Sequence, residues 1–188
     1  RAGASANQLE AQKVSRQSGP DEAVAFLENL AGQADASMGS KIALIRAQMA
    51  TGNIEGARNL ARDLLADEPD NVVLKSILAA SEAVAGNLDA AETLYREVLD
   101  ANPRATAIWL ELARIKTRQG DIEAARATVD EALGAFPDSA DLLWARASYM
   151  EQDGDIAAAI DIYEELYEQN SNSTIIANNL ASLLGTYR

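Results

Sequence analysis

The 188-residue chain has no cysteine and no histidine. Disulfides, Cys/His metal sites and any mechanism with its own imidazole base or thiolate nucleophile are thereby excluded. The usual clue to redox compartment is gone with the cysteines. Aromatic residues make up only 5% of a chain that is 48% hydrophobic, so a core must be built from Ala, Leu, Ile and Val. No apolar run approaches the ~20 residues that a membrane-spanning helix requires. Positive charge is scarce, with 16 bases against 29 acids and a net charge of −13. Such a surface repels phosphate backbones and anionic lipid, so neither nucleic acid nor direct membrane contact is expected. Period-two alternation and Asn-Gly hairpin signals are missing, which speaks against strands. Arg1 stands where an initiator methionine would, with no signal-like apolar segment after it, so the chain reads as part of a longer one. The compartment, cytoplasmic or periplasmic, is not legible.

What the sequence does contain is a period. Gly52, Gly86, Gly120 and Gly154 are each 34 residues apart. Ala23, Ala57, Ala91, Ala125 and Ala159 keep the same interval, as do Pro69, Pro103 and Pro137, with Ser171 at the next proline position. Leu44, Leu78, Leu112 and Leu180 form a further column, interrupted by Arg146. Four series sharing one period and one phase define a repeat.

Each column has a physical reading. Asn53, Asn87, Asp121 and Asp155 follow the glycines and are good helix N-caps. The Gly56-Ala57 pair and the Ala-Ala pairs equivalent to it let two helices approach closely. The prolines end the second helix, because the residue before proline is pushed out of the α region. Between these stops, apolar residues recur at helical spacing, as in Ile108, Leu112 and Ile115, then Ala125, Val129 and Leu133. The unit is helix, tight turn, helix, and the fold class is all-α.

The residues resemble the tetratricopeptide repeat family over nearly the whole chain. Trp109-Leu-Glu-Leu-Ala113, followed by Gly120, Ala125, Ala132 and Pro137, is similar to the family signature. Lys116 departs from it where a tyrosine is usual, and Lys41, Lys75 and Leu143 replace the tryptophan in neighbouring units. The units run over about 4–37, 38–71, 72–105, 106–139 and 140–173, with a further first helix over 174–188, as a single domain. The first unit is the least regular, with Glu10 and Ser18 off pattern and Gly19-Pro20 displaced by one residue, and Ala31–Ser40 reads as a loop. The resemblance implies a right-handed α-solenoid of antiparallel helix pairs, each unit touching mainly its neighbours.

No constellation suggests chemistry. The carboxylates Glu164, Glu165 and Glu168 fall on the solvent side of a second helix, and Asp155 falls in the N-cap column. Asp153-Gly154-Asp155 lacks the spacing and the distant glutamate of a calcium loop. Ser40-Lys41 lacks the adjacent Gly-Lys-Ser/Thr of a phosphate loop. Asn172-Ser173-Thr174 fits a glycosylation acceptor, a pattern frequent by chance. No enzyme activity, cofactor or metal is expected. Residues 141–170 hold eight acids against Arg146 alone and read as a solvated face, with a dock for a basic partner as the alternative.

In the family that this chain resembles, first helices line a concave groove where partners bind. The residues in those columns are Ile42, Arg46 and Met49, then Leu110, Arg114 and Thr117, then Trp144, Ser148 and Glu151. Arg46 and Arg114 are cations able to grip carboxylates in an acidic chain. Trp144 lies one position past the column of the packing residue Trp109 and should face the groove; a register slip would instead bury Trp144 and expose Leu143. The lysine and asparagine clamp by which some members hold chaperone tails is not reproduced.

The resemblance therefore implies a non-catalytic scaffold that binds a partner protein or extended peptide in its groove. Two other readings stand beside it. One is the repeat portion of a bacterial envelope or polysaccharide-export assembly, suggested by the alanine-rich repeats, by Asn178–Ala181 and by arginine outnumbering lysine 12 to 4. The other is a regulatory repeat segment of a larger enzyme. The helix at 174–188 has no following helix over Ile176, Leu180, Leu183 and Leu184, which offers a surface for self-association.

Overall fold

A computed structural model describes residues 10, 13, 14 and 19–187. Among the described residues there are ten α-helices and no strand. The second helices are α1 (Pro20–Ala31), α3 (Ile54–Asp67), α5 (Leu88–Ala101), α7 (Ile122–Ala135) and α9 (Ile156–Gln169). The first helices are α2 (Met38–Ala50), α4 (Val72–Ala85), α6 (Thr106–Arg118), α8 (Ala140–Asp153) and α10 (Thr174–Tyr187). Most of the first helix expected within 4–17, and Ser18, lie outside the described residues; Glu10 is helical and ion-paired with Lys13 at 3.2 Å.

The tight turn has a backbone cause. Gly52, Gly86, Gly120 and Gly154 all have φ between 79° and 89°, the left-handed region that costs glycine least. At three of these turns two bonds close the helix end as in a Schellman motif. The amides of Gly86 and Asn87 donate to Ala83 and Glu82, those of Gly120 and Asp121 to Thr117 and Lys116, and those of Gly154 and Asp155 to Glu151 and Met150. The next helix then starts under a cap. Asn53, Asp121 and Asp155 accept from the amides of Gly56, Ala124 and Ala158. Asn87 instead donates its side-chain amide to Glu82, at 2.6 Å.

At the other end of the unit, Glu68 and Phe136 precede prolines and leave the α region, at ψ 70° and 66°. Asn170 adopts ψ 76° ahead of Ser171, so the same exit occurs where proline is absent. The loop expected over Ala31–Ser40 is shorter, because Ser37 caps α2 by accepting the Ser40 amide and the helix begins at Met38. Gly56 is half-buried, and the atoms nearest to an added Cβ there belong to the Asn53 cap. Its neighbour Ala57 has no exposed surface.

The described helices form two compact units, residues 1–101 and 102–188. In the first, Ile45, Ala57, Ala61, Leu74, Ile77 and Leu78 form a core among α2, α3 and α4, and α5 adds Tyr95 and Val98. A second cluster, Leu27, Ala43 and Leu44, joins α1 to α2. In the second unit one cluster runs through α6, α7, α8, α9 and α10, from Ala113 and Val129 to Ile176 and Leu183. The leucine column breaks harmlessly at Arg146, which is exposed and lies 3.4 Å from Asp130, while Leu142, Leu143 and Ala147 fill the core.

The seam between α3 and α4 contains a buried charge. Glu82 has only 4% of its surface exposed, yet it lies 2.5 Å from Arg62, 3.0 Å from Arg58 and 2.6 Å from the Asn87 amide. Burial pushes its carboxyl pKa up, but the Asn87, Arg62 and Arg58 hydrogen bonds outweigh that and hold it below the usual range. The equivalent seam one repeat earlier lacks this pairing. There Gln48 replaces the glutamate, its Oε1 is buried without a partner, and a cavity of about 400 Å³ opens beside Leu44, Leu60 and Leu64.

Candidate functional site

The expected groove columns are placed unit by unit. On α2, Ile42 and Met49 are half-buried and pack against the first unit's core, while Arg46 is exposed and has no ion pair among the described residues. In the second unit, α6 and α8 lie side by side, as first helices one repeat apart must. Between them is an open cleft of about 690 Å³. Five of the expected residues line it: Leu110, Arg114 and Thr117 from α6, and Trp144 and Ser148 from α8. Tyr149, Arg118, Asp141 and Gln152 also line it and were not expected.

Helical periodicity explains the cleft. Positions 110, 114, 117 and 118 recur at i, i+4, i+7 and i+8, one face of α6, and 141, 144, 148 and 152 form the matching face of α8. The register is the one that buries Leu143, at 5% exposure, and turns Trp144 toward the cleft, so no slip occurs. Trp144 is not a free-standing anchor, however. It is half-buried against the core and meets the Tyr163 ring at 5.2 Å and 72°, an edge-to-face contact that holds the indole in place. Trp109 is also half-buried, and its indole N–H donates to the Pro103 carbonyl at 3.1 Å, which ties α6 to the preceding turn.

The polar end of the cleft is organised. Thr117 Oγ1 donates to the Ala113 carbonyl at 3.0 Å and lies 3.1 Å from the Tyr149 hydroxyl. A hydroxyl has one proton, so Tyr149 is the donor to Thr117, and its oxygen keeps lone pairs for a ligand N–H. Arg114 is paired with Glu111 at 2.6 Å, both side chains being exposed. Such a surface pair contributes about 0–1 kcal/mol and yields readily to a better-placed carboxylate.

Glu151 lies outside the cleft lining. It is half-buried and accepts the Tyr163 hydroxyl at 2.7 Å. Burial and that bond to a carboxylate push the Tyr163 pKa up to about 12. One turn of α8 thus presents Ser148 to the cleft and Glu151 to α9. Spacing alone could not separate them, because the position of α9 decides which side is covered. No cluster of His, Cys, Asp or Glu able to hold a metal occurs among the described residues, and no helix there is long and apolar enough to cross a membrane.

The sequence profile described as Tetratricopeptide repeat matches residues 17–80 and 85–148, more than half of the chain. The chain belongs to the tetratricopeptide repeat family. No curated protein sequence matches it significantly. Among solved structures it is similar to a thermophilic tetratricopeptide repeat protein of Thermus thermophilus. There the identity is 19% and the TM-score 0.68, with 96% of this chain and 98% of that one covered. It is also similar to a MamA structure from MSR-1, at 23% identity and TM-score 0.61 over 93% of this chain and all of that one. A third likeness is to a tetratricopeptide repeat protein of Parabacteroides merdae ATCC 43184, at 14% identity and TM-score 0.70 over 97% and 73% of the two chains. At such identities the likeness shows the fold, an all-α helical repeat solenoid. That fold generally mediates protein–protein interaction, and its members are typically non-catalytic scaffolds.

Proposed function

We propose that this chain is a non-catalytic scaffold that holds a partner protein through an extended segment laid in the cleft between α6 and α8. The observation that supports this reading is the convergence of Leu110, Arg114, Thr117, Trp144 and Ser148 on one open cleft. A clamped aromatic beside adaptable polar groups is the make-up of interface anchors. Affinity capture from the source organism tests it. Trp144→Ala is expected to weaken partner binding by roughly 1–3 kcal/mol, and Arg114→Ala by less and with more salt sensitivity. Because Trp144 also supports Tyr163, affinity is compared per folded molecule. Unchanged affinity in both variants overturns the reading.

A second copy is the occupant we propose for the outer face of α10. Ala181 is exposed there, whereas its equivalents Ala79, Ala113 and Ala147 are buried. Ile175, at 66% exposure, and Tyr187, at 61%, are exposed elsewhere on α10, whereas Ile176, Leu180, Leu183 and Leu184, expected to lie uncovered, pack on the core of the second unit. Sedimentation velocity over a range of concentrations is expected to show dimerisation that Ala181→Asp abolishes. A concentration-independent monomer would exclude it.

A further inference from the structure

The cleft is polar at both ends, with opposite signs. Asp141 lines it at the N-terminal end of α8, is exposed and has no hydrogen bond or ion pair among the described residues. Arg114 and Arg118 line it further along α6. Leu110 and Trp144 form the apolar floor between them.

Repeat equivalence sets the spacing along the cleft. Shifted by 34 residues, Asp141 is level with Ala107, Trp144 with Leu110, Ser148 with Arg114 and Gln152 with Arg118. At 1.5 Å per helical residue, Trp144 is about 4.5 Å beyond Asp141, and the two arginines are roughly 10 and 16 Å beyond it. An extended chain covers about 3.3 Å per residue, so those intervals correspond to roughly one, three and five residues.

Resting on the reading of this cleft as the docking site, we infer that it selects a bipolar segment of the partner. The order along the cleft is a basic side chain at Asp141, an apolar one over Leu110 and Trp144, and an acidic one at Arg114 and Arg118. The occupant is an extended stretch of about four residues, with the cation and the carboxylate about three residues apart. The argument is charge complementarity. A uniformly acidic peptide would gain from the arginines but meet Asp141, and a uniformly basic one would gain from Asp141 but meet both guanidiniums. The mixed segment alone satisfies both ends. A basic group held by Asp141 also comes within reach of the Trp144 face, where a cation is attracted to the ring. The carboxylate has a geometric match of its own, since guanidinium groups present forked N–H pairs to it.

The test uses four capped tetrapeptides and the indole N–H signal of Trp144, assigned with Trp109→Phe. Lys-Leu-Ala-Glu and Glu-Ala-Leu-Lys carry the bipolar order in the two chain directions; Glu-Leu-Ala-Glu and Lys-Leu-Ala-Lys are the homopolar controls. One bipolar peptide is expected to bind about tenfold more tightly than either control at low salt, the difference shrinking as salt rises. Asp141→Lys should move the preference to Glu-Leu-Ala-Glu, and Arg114→Glu with Arg118→Glu should move it to Lys-Leu-Ala-Lys. These three sites are exposed, so the variants keep the fold. If all four peptides move the Trp144 signal equally, the polarity is overturned while docking in the cleft stands. If none moves it and Trp144→Ala still captures the partner normally, both fall.

Discussion

Glu82 carries its charge at a position that repeats through the array as Gln48, Glu82, Lys116 and Met150. Here Arg58 and Arg62 make an acid stable. Removing that acid leaves two guanidiniums facing a desolvated gap, so Glu82→Ala is expected to cost about 3 kcal/mol in urea unfolding, the low end for a broken buried pair because Arg62 is half exposed. Gln48 presents the opposite case, a buried acceptor without a donor. Gln48→Met, which copies the equivalent residue Met150, is expected to stabilise the chain by about 1 kcal/mol in the same measurement. Tyr163 adds a pH dependence. Its neutral form is favoured by folding, so its contribution is complete below about 10 and is lost as pH rises toward about 12. Two units at 1.36 kcal/mol each set a ceiling of about 2.7 kcal/mol. Tyr163→Phe should flatten that alkaline limb of the stability curve. Neither the Glu82 network nor the bond between Tyr163 and Glu151 was legible in the sequence, because each joins helices whose facing sides only packing reveals. The one available signal was an acid in an otherwise inward column.

Helix ends were far more legible than helix faces. The glycine column predicted a turn at each repeat, and all four glycines are left-handed. A Cβ at Gly120 would meet nothing within 4 Å, so the cost of Gly120→Ala is backbone strain alone, about 1–2 kcal/mol. Gly134 gives the contrast. It lies inside α7, its added Cβ also meets nothing, and its φ is ordinary for a helix. Gly134→Ala should therefore stabilise by about 0.5–1 kcal/mol, so thermal melts of the two variants should move in opposite directions. The start of α2 escaped the sequence reading for a local reason. Ser37, Ser40 and the glycines nearby look like a loop by composition, whereas one hydroxyl accepting the Ser40 amide is enough to start a helix at Met38.

At the scale of the molecule, the alanine column and the charge have separate roles. Ala57, Ala91, Ala125 and Ala159 show no exposed surface, so each marks a place where two helix backbones come close. Ala125→Leu is expected to overpack the α6–α7 contact by about 1–3 kcal/mol and to speed amide exchange through those helices. The candidate cleft was half legible from this scale. Leu110, Arg114, Thr117, Trp144 and Ser148 follow from the period plus the known facing of first helices. Asp141 and Tyr149 enter from columns whose equivalents are Ala107 and the buried Ile115, so no repeat pattern announces them. The spacing of first helices, at residues 38, 72, 106, 140 and 174, also has a consequence for inheritance. A one-residue insertion in a turn would rotate the next helix by about 100° and unseat its apolar face. A recombination event between any two equivalent codons, by contrast, adds or deletes a whole unit and leaves every seam in phase. An array with this geometry therefore lengthens and shortens in whole units, and each crossover grafts one unit's groove residues onto another's core.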